Sequence, residues 1–153
     1  MESLSLWTQW KGATAQTGKT HDEESLVSTP TGMKPICEIC AGDEVISLDG
    51  NDQSTIAKVH EITRASIERI FEVTFANGVI WRTTEDQQIY CGEGEWRNII
   101  NAGNHKVATE TGTSTKIVRI AATGNHETVY GLSVEGTNIL FVNGIAARGF
   151  SKE

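Results

Sequence analysis

The chain has 153 residues, 38% of them hydrophobic, and a formal net charge of -7, which predicts one acidic domain able to bury its own core without metal or disulfide staples. Such acidity argues against a nucleic-acid scaffold, which needs a basic face to neutralise phosphates. Apolar runs as short as "ILFV" argue against a membrane-spanning helix. The three cysteines, Cys37, Cys40 and Cys91, are too few and too uneven for a disulfide framework, and the N-terminus lacks a basic region leading into a long apolar stretch. Both features fit synthesis in a reducing cytoplasm without a signal peptide.

Residues 1–24, "MESLSLWTQWKGATAQTGKTHDEE", show no periodic apolar face after Trp10 and read as an N-terminal arm, flexible or bound to a partner. Trp7 and Trp10 stand at helical spacing, and tryptophans are enriched where proteins meet. They are the predicted partner-binding residues, packed either on the domain or on another protein. The run "HDEE" reads as a solvated acidic patch.

From Leu26 the pattern becomes that of an all-β protein. "DEVISLDG" alternates and stops at the turn signal Asp49-Gly50. "STIAKVHEITR" is a long alternating segment, and "IERIFEVTFANGVIWRTT" reads as two strands about an Asn77-Gly78 turn, with Phe71, Val73 and Phe75 on one face. After Leu26 only "EWRNIINAG" carries a short helical pattern, Trp96-Ile99-Ile100, ended by Gly103. "KIVRIAAT" and "ETVYGLSVEGTNILFVNG" supply three more strands, the last bounded by Asn143-Gly144. "IFEVTFANGVIW" and "VYGLSVEGTNILF" echo one another as aromatic residue, alternating strand, turn and aliphatic strand, which suggests two similar hairpin units in a pseudo-symmetric fold.

Four segments in order resemble the Hint domains, the fold shared by inteins, hedgehog autoprocessing domains and bacterial relatives. "LVSTPTGMKPICEICAGDEVISLDG" is similar to the family's opening through Thr29, Gly32, Lys34-Pro35-Ile36 and Gly42-Asp43. "TTEDQQIY" resembles its Thr-x-x-His segment, "EWRNIINAGNHKV" its tryptophan-bearing segment with Asn104 in place of an acid, and "VYGLSVEGTNILFVNGIAARG" its closing strands. The resemblance spans residues 20–149. It implies a flattened, horseshoe-shaped all-β domain over residues 25–149 that brings its two ends to the centre, with residues 150–153 as a C-terminal stub.

In such domains a first-residue nucleophile attacks the preceding carbonyl. A histidine then helps the leaving amine, and in inteins a terminal asparagine cyclises with help from the histidine before it. The resemblance places these roles on Thr20, Gln87, Gly149 and Arg148, with Thr84 as the threonine of the segment; a shift by one would pair Thr83 with Asp86. The family's other histidine falls on Asn138. Thr20 keeps a hydroxyl, but a hindered and weakly acidic one, with His21 as the convenient base. Gln87 cannot exchange a proton near neutral pH, which removes general-acid help of about 100- to 10,000-fold. Arg148 carries a guanidinium, which has no lone pair to accept a proton and cannot serve as a base, Gly149 has no amide to cyclise, and Phe150 is not the Ser, Thr or Cys that splicing requires. Catalytic residues are therefore expected to be none: the fold is kept and the chemistry dropped.

The expected function is a non-catalytic structural or protein-interaction module whose arm contacts other protein subunits, with no nucleic acid, membrane or cofactor involved. Stand-alone Hint-like domains also occur among bacteriophage virion proteins, so the resemblance extends to a tail, baseplate or capsid component. Two alternatives remain. An autoprocessing domain would cleave between Lys19 and Thr20. A cysteine-based metal or redox module would use "CEIC", with Cys37 and Cys40 as weak metal candidates, since zinc wants four ligands. Otherwise Cys37 and Cys40 simply flank the buried Ile36 and Ile39.

Overall fold

The computed structural model describes residues 21–22, 25–67, 70–123 and 127–150. The arm before His21, with Trp7, Trp10 and Thr20, and the last three residues lie outside them. Among the described residues fifteen strands follow one another, interrupted by two single turns of 3-10 helix at Ile36–Glu38 and Ile99–Asn101. The first half comprises β1 (His21–Asp22), β2 (Leu26–Thr29), β3 (Gly32–Pro35), β4 (Glu44–Leu48), β5 (Ser54–Ile67), β6 (Phe71–Phe75) and β7 (Ile80–Thr83). The second comprises β8 (Gln88–Gly92), β9 (Glu95–Asn98), β10 (Val107–Ala108), β11 (Ser114–Thr115), β12 (Ile117–Ala122), β13 (Glu127–Val134), β14 (Ile139–Val142) and β15 (Ile145–Arg148).

Two sheets carry the fold. One runs β12-β6-β7-β1-β13-β5-β4 and the other β3-β2-β14-β15-β8-β9, with β10 and β11 as a separate ribbon. The 14-residue β5 pairs with β4 along its first part and with β13 along the rest. The β4–β5 turn forms where its sequence signal stands, because the Asp49 carboxylate accepts from the amides of Asn51 (2.8 Å) and Gln53 (3.0 Å). Asn77-Gly78 joins β6 to β7, and Asn143-Gly144 joins β14 to β15 with both residues at positive φ (53° and 83°).

The continuous apolar run of β14 is explained by burial on both faces. Leu140 and Val142 enter the main core with Val73, Trp81 and Ile89, while Ile139 and Phe141 pack with Tyr90 and Ala146 in a second cluster. Among the described residues, no helix is long and apolar enough to cross a membrane.

Two expectations need correction. The helical spacing of Trp96, Ile99 and Ile100 does not make a helix. Residues 95–98 are a strand paired with β8, and only the next three form a 3-10 turn, capped by the Asn98 carboxamide oxygen on the Ile100 amide (2.9 Å). Pairing with β8 and the Tyr90–Trp96 ring contact at 4.9 Å outweigh the local spacing. The internal echo is one of strand pattern and not of pairing: β6 and β7 form a hairpin, whereas β13 and β14 lie in different sheets.

Candidate functional site

The ends of the domain meet where the two sheets adjoin. Strand β1 enters the first sheet between β7 and β13, with His21 opposite both Thr83 and Tyr130. From the other sheet β15 runs out toward β13, and there the Phe150 amide donates to the Leu132 carbonyl (3.0 Å). The Phe150 side chain is 1% exposed, so packing extends one residue past the boundary expected at 149.

Asn138 holds this exit. It sits at φ 62°, in the left-handed region that asparagine tolerates better than most residues. Its side-chain oxygen accepts from the Val134 amide (2.8 Å), and its nitrogen donates to the carbonyls of Gly149 (3.0 Å) and Phe150 (3.2 Å). The Gly149 amide in turn donates to the Asn138 carbonyl (2.9 Å). Gly149 has no room for a side chain. A Cβ there would collide with the Asn138 side-chain oxygen and lie 2.5 Å from the Leu132 carbonyl oxygen.

Gln87 closes the seam from the β7–β8 link. The Thr84 hydroxyl donates to the Asp86 carboxylate (3.0 Å), and the Gln87 amide returns to the Thr84 carbonyl (3.1 Å), which makes a tight turn. That turn buries Gln87 completely and aims its carboxamide at β15. The amide nitrogen donates to the carbonyls of Gln88 (2.7 Å) and Arg148 (3.1 Å). These two acceptors fix which end is nitrogen, leaving the buried oxygen without a partner among the described residues. Of the two ways to align this segment, Thr84 with Gln87 is the one whose final residue reaches Arg148.

Arg148 turns away from the seam. Its guanidinium donates to the Gln88 side-chain oxygen (2.6 Å) and stacks over Trp96 at 5.2 Å. The structure therefore gathers Gln87, Asn138, Arg148 and Gly149 around one stretch of main chain and places Thr84 at the turn that supports Gln87. Thr20 lies outside the described residues. Sequence reasoning missed the Leu132 carbonyl, because a main-chain acceptor leaves no signature in residue type. It also missed the Trp96–Arg148 stack, although both residue types were visible.

Chemically, the seam is rich in amide donors aimed at carbonyls. An amide donor on the Gly149 carbonyl is the kind of contact that stabilises a developing oxyanion. Glycine, however, brings no side-chain amide of its own to attack that carbonyl.

No family model and no curated protein matches the chain. Solved structures do. A bacterial intein-like domain from Clostridium thermocellum superposes with a TM-score of 0.79 at 19% identity, over 86% of this chain and 99% of that one. A DnaB intein from Synechocystis sp. PCC 6803 gives 0.74 at 16% identity, over 85% and 97%. The PabCDC21-1 intein gives 0.74 at 21% identity, over 87% and 99%. The fold is that of the Hint and intein domains. Its central meeting of ends is the seam described above, so the Hint fold accounts for why residues far apart in sequence converge there.

Elsewhere, Cys37, Cys40 and Cys91 are free, the first two exposed. Ile36 and Ile39 are buried beside them. Among the described residues, no three His, Cys, Asp or Glu side chains are grouped so as to hold a metal ion.

Proposed function

We propose that this Hint-fold domain does not splice or cleave and serves as a structural, protein-interaction module. The Gly149 contact carries the reading. At the position where an intein needs an asparagine side chain, the first carbon of any side chain would fall within 2.5 Å of both the Asn138 carboxamide and the Leu132 carbonyl. Gln87 supports it: at the position of the assisting histidine stands a carboxamide whose hydrogens are engaged by two carbonyls. Donors that could serve a reaction instead hold the chain in place. Trp7 and Trp10 in the arm are the proposed anchor for another protein subunit, with assembly into a virion as the setting the fold analogy suggests.

The test is the intact mass of the purified chain, and of the chain carrying a reporter domain at each end, after prolonged incubation with and without dithiothreitol. Unchanged masses are expected throughout. Loss of residues 1–19 by cleavage between Lys19 and Thr20, or joining of the two reporters, would overturn the proposal and make Thr20→Ala the next variant.

A further inference from the structure

Cys37 and Cys40 stand on the link between β3 and β4, a part of the fold that the seam does not use. Ile36 and Ile39 pin this link into the core, at 1% and 2% exposure. Each exposed cysteine follows one anchor by a single residue. Anchors and thiols thus share a three-residue spacing, which places both thiols on the solvent side of one short turn. The backbone folds back there, as the Ile39 amide donates to the Ile36 carbonyl (3.2 Å) around the 3-10 turn. Position 40 is held from the other side. The Asp43 carboxylate accepts from the Cys40 amide (2.8 Å), and the Asp43 amide returns to the Cys40 carbonyl (3.0 Å). Lys34 braces that carboxylate at 3.4 Å. A disulfide requires Cα atoms within about 7 Å; the 3-10 turn shortens the chain after Cys37 before Ile39 turns extended, and the Cys40 sulfur lies back toward the turn, 3.9 Å from the Glu38 carbonyl. The third thiol is no competitor: Cys91 is half-buried on β8, and burial raises its pKa.

We propose that Cys37 and Cys40 form a redox-modifiable dithiol, closed into a bridge across this turn by a disulfide oxidant of the glutathione class. One cysteine thiolate attacks a sulfur of glutathione disulfide, breaks its S–S bond and releases one glutathione thiolate. The second cysteine thiolate attacks the protein-side sulfur of the mixed disulfide and displaces the other. Two protein thiols lose their protons and two electrons pass to the oxidant, which departs as two glutathione molecules.

The test treats the native full chain with glutathione disulfide and reads intact mass, a peptide map and free thiols. The expected product has lost two hydrogens, keeps one of its three thiols, carries the bridge within the peptide spanning Cys37 and Cys40, and reverts with dithiothreitol. Cys37→Ser and Cys40→Ser should each stop at a single glutathione adduct on the remaining partner. Repeated in urea, the equilibrium should favour the bridge at least about tenfold less than in the native chain, because the folded turn supplies the effective concentration. The proposal is overturned if both cysteines carry glutathione without bridging, if Cys91 is the partner, if nothing reacts, or if the unfolded chain bridges as readily as the native one.

Discussion

Substituting Gly149 by alanine adds one carbon, and its cost follows from the contacts that carbon would meet. Two of the three lie closer than real Cβ contacts occur: the Asn138 side-chain oxygen, and the Leu132 carbonyl oxygen at 2.5 Å. Swinging the Asn138 side chain away would remove the first contact and sacrifice three hydrogen bonds, at about 1 kcal/mol each. It would leave the second untouched, because Leu132 belongs to β13, which is held along its length by β5. The end of β15 must therefore lift. That breaks the Phe150–Leu132 hydrogen bond and draws Phe150, 1% exposed, partly out of the core. Exposing a phenylalanine costs about 1.5–3 kcal/mol and the lost hydrogen bond about 1 kcal/mol, giving about 2.5–4 kcal/mol in total.

Equilibrium urea unfolding measures this directly, as a lower midpoint at unchanged slope. Gly144→Ala is the control, since its added carbon meets nothing within 4 Å and is strained only by φ 83°. Its cost should be about 1–2 kcal/mol. If Gly149→Ala proves no worse than Gly144→Ala, the crowding at the seam is not what requires glycine, and the main support for a non-splicing domain fails with it.

Other outcomes follow from the same geometry. Asn138→Asp keeps an acceptor for the Val134 amide but sets a carboxylate against the carbonyls of Gly149 and Phe150, so a loss of about 2–3 kcal/mol is expected in the same unfolding assay. Gln87→Leu strands the Arg148 and Gln88 carbonyls and should cost about 1–3 kcal/mol while leaving the intact mass unchanged on incubation. The hydrogen bond from the Cys40 amide, with the charge of Lys34, holds the Asp43 carboxyl below its ordinary value of 3.8. Its stabilising contribution is complete above that value and is lost as pH falls through the lower folded one, so carboxyl NMR should find a midpoint below 3.8 and Asp43→Asn should flatten stability in that acid range. In the native chain iodoacetamide should label Cys37 and Cys40 well before Cys91, whose thiolate is disfavoured by burial, with the difference vanishing in urea.

The strands were legible in the sequence because period-two patterning and Asn-Gly or Asp-Gly turns act locally. "FEVTF", "ILFV" and the Asp49, Asn77 and Asn143 turns all lie where those signals stand. What misled was also local: Trp96, Ile99 and Ile100 have a helix's spacing, but the partner strand β8 decides their conformation, and nothing in nine residues announces a partner. The seam was legible by position alone. The motif resemblance singled out Gln87, Asn138, Arg148 and Gly149 as standing where chemistry would be, and they do converge. Their actual contacts were not legible, because Asn138 reaches Gly149 and Phe150 only through its φ of 62° and a chain that returns after eleven and twelve residues.

The same contacts argue that the proposed loss of chemistry would not be undone one residue at a time. A histidine at position 87, in its neutral form, has a single N–H, so it could serve only one of the two carbonyls that Gln87 now satisfies. An asparagine at position 149 would first have to displace Asn138, whose carboxamide fills the space the new side chain needs. Moving Asn138 in turn releases the Gly149 and Phe150 carbonyls and weakens the hold on the exit of β15. Each substitution toward a reactive site therefore removes a contact that another residue depends on, so their costs are coupled and do not add. On the proposed reading, such a seam would resist a return to catalysis for a physical reason, because its amide groups already bind the main chain that a reaction would have to set free.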